Sequence, residues 1–149
     1  MGNGVTASVV EELAIDATPV EARRASEWLE ASLLRRGVPQ AEAARLTLCG
    51  VEVLANVLAH GGQAVLDAPI ELLLEVAQQQ GSGEARVTVS DAGRAFDPLT
   101  VPERAKPRTL DEASPTGMGL QLIRRCADSL HYRHEDGRNH LRFCARWAG

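Results

Sequence analysis

The stretch LTLCGVEVLANVLAH, residues 46–60, is apolar at nearly every position and carries one formal charge, Glu52. Pro39 stands upstream and Gly61 and Gly62 follow His60, so the segment reads as a helix from about Pro39 to His60. A helix this apolar is expected to be buried nearly all round. Glu52, Asn56 and His60 recur at i, i+4 and i+8, which places them in one polar stripe on that rod. A carboxylate in such a setting costs several kcal/mol unless a metal ion, a reacting hydroxyl or another group pairs with it. The competing reading is the solvated side of an amphipathic helix, which over this length normally carries several Lys, Arg or Glu residues. His60 taken alone reads as a helix-end histidine making a structural hydrogen bond.

Working outward, residues 8–15 read as a first strand. Thr18, Pro19 and Glu21 form a helix start: Thr18 caps, Pro19 suits the first helical position, and Glu21 completes a capping box. That helix is expected to run to about Arg36 and stop at Gly37. Downstream, Ile70, Leu72, Leu74 and Val76 alternate as in a strand with one buried face, and Val87 and Val89 repeat the pattern over residues 86–90. Residues 78–84 read as the loop between these strands.

Residues 97–116 show no periodicity and hold four of the seven prolines, which predicts a lid-like loop. A third helix is predicted over 117–130, and a hairpin turning at Asp136 and Gly137 over 130–147. The order is therefore β-α-α-β-β-lid-α-β-β, with residues 1–149 forming one domain.

Two further clusters carry chemistry. DAGRAFDP, residues 91–98, directly follows a strand. A carboxylate at a strand end can accept a hydrogen bond from an exocyclic amino group, and Gly93 leaves room for a flat base, although Asp-x-Gly is also a common turn. TGMGLQLI, residues 116–123, sets Gly117 and Gly119 before a helical run, and free N–H groups at such a start suit phosphate oxygens. Close packing is the other use of such glycines. Arg104, Lys106 and Arg108 would add positive charge nearby, or simply form a solvated basic loop.

The composition excludes several classes. With 44% apolar and 24% charged residues the chain is that of an ordinary soluble domain, and with 3% aromatics its core must be Leu, Val and Ala. A net charge of -4 and a pI near 5.6 argue against nucleic acid as the main partner. Cys49, Cys126 and Cys144 are odd in number and lack CxxC spacing, so they read as reduced core thiols of a cytoplasmic protein. No basic leader opens the sequence, and no apolar run is read as long enough to span a bilayer. There is no P-loop, HRD or DFG motif.

The ordered set E-x-x-x-N on a helix, strand-D-x-G, lid, then G-x-G-L on a helix resembles the GHKL, or Bergerat-fold, ATP-binding superfamily shared by gyrase B, histidine kinases and MutL. Within it the chain resembles the anti-sigma-factor serine/threonine kinases, through EVLAN followed by His60, through DAGRAFDP and through GMGL. The resemblance spans essentially the whole chain. It implies an α/β two-layer sandwich, a mixed, mostly antiparallel sheet with three helices on one face. It implies ATP and Mg²⁺ as cofactors, with Glu52 as general base, Asn56 on Mg²⁺, Asp91 and Gly93 at adenine, and Gly117, Met118, Gly119 and Leu120 along the phosphates. It further implies a homodimer, a STAS-domain anti-anti-sigma protein as substrate and a sigma factor as second partner, with no nucleic acid or membrane. Arg23 and Arg24 on the first helix are candidate partner contacts. The alternatives are a nucleotide-binding module that sequesters a partner without transfer, and a histidine-kinase-like catalytic domain. Ala95 stands where many relatives carry a second glycine, and Ala55 where some serine kinases carry threonine.

Overall fold

A computed structural model of the protein describes residues 7–97 and 123–148. The chain forms β1 (Ala7–Ile15), α1 (Pro19–Arg35), α2 (Gln40–His60), a 3-10 turn (Gln63–Leu66), β2 (Ile70–Gln79), β3 (Ser82–Asp91), β4 (Ser129–Glu135) and β5 (Arg138–Trp147). The five strands make one sheet in the order β1-β2-β3-β5-β4, and every pairing among the described residues is antiparallel. Helices α1 and α2 pack against each other, α1 against β1 and β2, and α2 against β3 and β5.

Local chemistry sets the boundaries. Thr18 caps α1, its hydroxyl accepting the Glu21 N–H at 3.2 Å, with Pro19 at the first helical position. The reciprocal arm of the expected capping box is not made. Thr18 N–H donates to the Asp16 carbonyl, and the Glu21 carboxylate turns to Arg24 at 2.8 Å. The loop expected over residues 78–84 shrinks to a two-residue turn, because Gln80 and Gly81 both take positive φ, 51° and 88°. Asp136 and Gly137 do the same at 55° and 73°. Turns of this hand match the twist of the strands they join.

The inward faces follow strict alternation: Ile70, Leu72, Leu74 and Val76 on β2, Ala85, Val87 and Val89 on β3, Leu141, Phe143 and Ala145 on β5. They close on Leu29 and Leu33 of α1 and Leu46, Cys49, Val53 and Leu54 of α2. Only one side of α2 joins this core. Ala44, Leu48, Val51, Ala55 and Ala59 form an exposed stripe, with Leu48 40% and Val51 42% accessible, so the expectation of a helix buried all round is corrected. A two-layer fold covers a helix from the sheet side, which leaves the far side open whatever its composition. At 21 residues and a mean hydropathy of 1.2 over its best window, α2 also reaches the length and apolarity of a membrane span, contrary to the sequence reading. Helices in protein cores pass the same test.

The third helix was expected to reach Leu130. Helical structure is described at residues 123–126, but Ser129 and Leu130 belong to β4. Asp128 explains the early stop: its N–H donates to the Cys144 carbonyl at 2.8 Å, and its carboxylate accepts the Arg146 N–H at 2.7 Å. Both bonds commit the chain to pairing with β5. Arg45 of α2 adds a bond to the Cys126 carbonyl at 2.8 Å and an ion pair with Asp128 at 3.3 Å.

Candidate functional site

Two inward-facing positions break the apolar alternation at the ends of adjacent strands. Asp91 follows Ala85, Val87 and Val89 on β3, Asn139 precedes Leu141, Phe143 and Ala145 on β5, and the two residues are direct partners across the ladder. They are 5% and 6% exposed, so their polar atoms must be paired within the protein or by a ligand. Asp91 Oδ1 accepts the Gly93 N–H at 2.8 Å and the Asn139 Nδ2–H at 3.1 Å. Asn139 also donates to the carbonyls of Gly93 at 3.2 Å and Arg94 at 2.9 Å. Its own oxygen accepts the Phe96 N–H at 3.2 Å and the Tyr132 hydroxyl. Burial pushes the Tyr132 phenol above its ordinary value, which keeps that hydroxyl protonated as a donor.

A narrow cleft of about 40 Å³ opens over this pair. Its lining includes Asn56, Val57 and His60 from α2, Gly61, Arg94 and Phe96, together with Val89 and Leu141. The end of α2 is joined to the segment after β3 by three contacts. His60 stacks on Phe96, the Arg94 side chain donates to the His60 carbonyl at 3.2 Å, and the Arg94 N–H donates to the Gly61 carbonyl at 3.4 Å. Gly93 makes the approach possible, since a Cβ there would stand 2.8 Å from both the Gly61 Cα and Asp91 Oδ1.

Asn56 Nδ2 and His60 Nε2 are buried and find no hydrogen-bond partner among the described residues. An unsatisfied buried polar atom costs roughly 1–3 kcal/mol. Both residues line the same cleft, so a ligand rich in acceptor atoms removes two such costs at once. A nucleotide is that kind of ligand.

The structure thus brings together Asn56, Asp91 and Gly93 of the sequence-derived set and adds His60 to them. Glu52 lies one turn before Asn56, half-buried, and is not among the residues lining the described cleft. Gly117, Met118, Gly119 and Leu120, and residues 98–116 of the expected lid, lie outside the described residues. Arg23 is exposed on α1, whereas Arg24 is engaged with Glu21 and, at 3.4 Å, with the Ala14 carbonyl. Sequence reasoning missed Asn139, Tyr132, Phe96 and Arg94. Asn139 had a signal: it is an amide where the period of β5 demands an apolar residue.

Comparison with known proteins gives this geometry its family. The chain belongs to the histidine kinase-like ATPase domain family, whose match covers residues 15–145. It is 34% identical over 134 residues to the serine/threonine-protein kinase BtrW of Bordetella bronchiseptica, an alignment covering 90% of this chain and 92% of that one. Its fold is similar to that in a crystal structure of the RsbU and RsbW domains of a Mycobacterium tuberculosis protein, with a TM-score of 0.61 at 18% identity. That match covers 91% of this chain and 32% of the longer one. The crystal structure of the SiaB–SiaC complex from Pseudomonas aeruginosa is similar with a TM-score of 0.50 at 14% identity, covering 92% and 89% of the two chains. The two-layer sandwich with an antiparallel sheet is therefore the fold of this family, and ATP binding is the property the family implies.

Proposed function

We propose that this chain is an ATP-dependent serine/threonine protein kinase and anti-sigma factor that phosphorylates a STAS-domain anti-anti-sigma partner in a partner-switching pathway of the cytoplasm. The observation that carries the reading is the convergence of Asp91 and Asn56, from β3 and α2, on one cleft where the Asn56 amide nitrogen and His60 Nε2 find no hydrogen-bond partner among the described residues. The kinase BtrW supports the reaction class.

Each residue has a role in the proposal. Asp91 accepts the exocyclic amino group of adenine, and His60 and Phe96 form the wall beside the base. A whole nucleotide is larger than the described cleft, so these residues are the floor of the base site. Asn56 would hold Mg²⁺ through its side-chain oxygen, and its unpartnered amide fits a polyphosphate ligand. Magnesium, when bound, neutralises charge on the phosphoryl group under transfer. Glu52, one turn earlier on α2, accepts the proton of the partner's hydroxyl, and Gly117 to Leu120 line the phosphates.

Pairing of two copies is supported by the outer face of the sheet. A groove of about 610 Å³ crosses it, with Glu12, Glu71 and Glu75 on the β1–β2 half and His131, Arg133, His140 and Arg142 on the β5–β4 half. A twofold axis parallel to the strands would stack the acidic half of one copy on the basic half of the other.

The test is incubation with γ-labelled Mg-ATP and candidate STAS proteins. Acid-stable label on the partner is the expected result, and acid-labile label would indicate histidine chemistry instead. Binding of ATP with no label transferred would support a sequestering module, the reading favoured by the position of Glu52 off the described cleft.

A further inference from the structure

We propose that Asn139 is a positioning residue that sets base specificity, by turning the Asp91 carboxylate so that one oxygen is committed to the protein and the other to the ligand. The inference rests on the nucleotide reading above and extends it to a residue outside the motifs that suggested it.

The amide of Asn139 sits at a junction of donors and acceptors. On its oxygen side are two donors, the Phe96 N–H and the Tyr132 hydroxyl. On its nitrogen side are three acceptors, Asp91 Oδ1 and the carbonyls of Gly93 and Arg94. Rotating the amide by half a turn would oppose donor to donor and acceptor to acceptor at every one of these contacts, so its orientation is fixed. Asn139 is also held by the ladder, opposite Asp91 in the β3–β5 register.

This rigidity passes to Asp91. Both hydrogen bonds that the carboxylate accepts among the described residues fall on Oδ1, from Asn139 and from the Gly93 N–H. Among the described residues no hydrogen bond falls on Oδ2, and in this proposal that oxygen accepts from the ligand. An acceptor held in place attracts an amino group on a purine and repels a carbonyl oxygen at the same ring position. The terminal torsion of an aspartate is intrinsically broad. Without Asn139, the Gly93 N–H is the one tether left to the carboxylate among the described residues, so the carboxylate turns more freely and loses part of this discrimination.

The experiment compares ATP with inosine triphosphate, which carries an oxo group where ATP carries the amino group, by calorimetric titration of wild type, Asn139→Ala and Tyr132→Phe. Wild type is expected to favour ATP by about tenfold or more, the worth of one well-placed hydrogen bond. Asn139→Ala should lower ATP affinity by about tenfold while leaving inosine triphosphate nearly unchanged, so that the preference collapses. Tyr132→Phe removes one of the two donors that orient the amide and should reduce the preference by roughly threefold. An equal loss for both nucleotides would show a merely structural role and overturn the proposal, as would an unchanged preference in either folded variant. If Asn139→Ala does not fold, Tyr132→Phe decides: a reduced preference supports the proposal and an unchanged one overturns it. Wild type binding ATP without preference would refute the positioning role alone, whereas wild type binding neither nucleotide would remove the nucleotide reading and this inference with it.

Discussion

The imidazole of His60 lies against the ring of Phe96 with centroids 4.4 Å apart and planes 13° from parallel. The stack ties the last residue of α2 to the segment leaving β3, and both rings line the cleft. Stacked aromatic pairs contribute about 0.5–1.5 kcal/mol beyond the area they bury. Phe96→Ala is therefore expected to weaken ATP binding by about tenfold at the upper end of that range, with the far-ultraviolet circular dichroism spectrum unchanged. Titration with ATP checks the affinity.

Gly93 is expected to tolerate no side chain. A Cβ at that position would meet the Gly61 Cα and Asp91 Oδ1, each at 2.8 Å, and the Gly61 carbonyl oxygen at 3.1 Å. Two of these neighbours are backbone, which cannot rotate away. Gly93→Ala should cost about 1–3 kcal/mol, as overpacking does, and should also open the cleft by pushing Gly61 from Asp91. A lower urea midpoint at unchanged m-value, together with weakened nucleotide binding, is the expected pair of observations.

Glu11 makes stability depend on pH. Its carboxylate bridges Arg36 at 2.7 Å and Arg35 at 2.9 Å, fastening β1 to the end of α1. The hydrogen bond from Arg36, aided by the charge of Arg35, holds its pKa below the ordinary 4.5 against a smaller opposing effect of burial. A carboxyl whose pKa is depressed in the folded state stabilises the protein above its unfolded pKa, and that contribution fades as pH falls through the folded value. Glu11→Gln should accordingly lower stability at pH 7 by about 1 kcal/mol, a figure kept small because both arginines are partly solvated. The deficit should shrink below about pH 4, which denaturant melts across the acid range would show.

The three thiols should be silent in the folded protein. Cys49, Cys126 and Cys144 are all buried, and burial, with the neighbouring Cys126 adding to it, pushes the Cys49 thiol up to about 12. Thiolates are the reactive form. A disulfide-exchange reagent at pH 8 is expected to titrate none of them quickly in buffer and all of them after denaturation.

Much of the fold was legible because its signals are local. Thr18 and Pro19 mark the start of α1, Asp136 and Gly137 mark a turn that needs positive φ, and the alternation on β2 and β3 gives the buried face directly. The tight turn at Gln80 was not legible, since a glutamine at φ 51° carries no local signature. Nor was the end of the third helix, which is set by bonds from Asp128 to residues of β5 far along the chain. The exposed stripe of α2 was misread because Leu48, Val51 and Ala55 look like core residues wherever they stand.

The site divides in the same way. Asp91, Asn56 and Gly93 could be named because each lies in a short motif, and the structure brings Asp91 and Asn56 to one cleft, with the Gly93 N–H bonded to the Asp91 carboxylate. Asn139 and Tyr132 reach that cleft only through the register of β3, β5 and β4, which no local pattern states. Glu52 shares a helix stripe with Asn56, but a shared stripe did not carry it into the described lining.

The central claim is that Asp91 and Asn56 floor a nucleotide site, and isothermal titration with Mg-ATP of wild type beside Asp91→Asn tests it most directly. The account expects one ATP per chain for wild type and an affinity lowered by at least about tenfold when the carboxylate becomes an amide. Absence of ATP binding to wild type, or equal affinity in the two proteins, would contradict it.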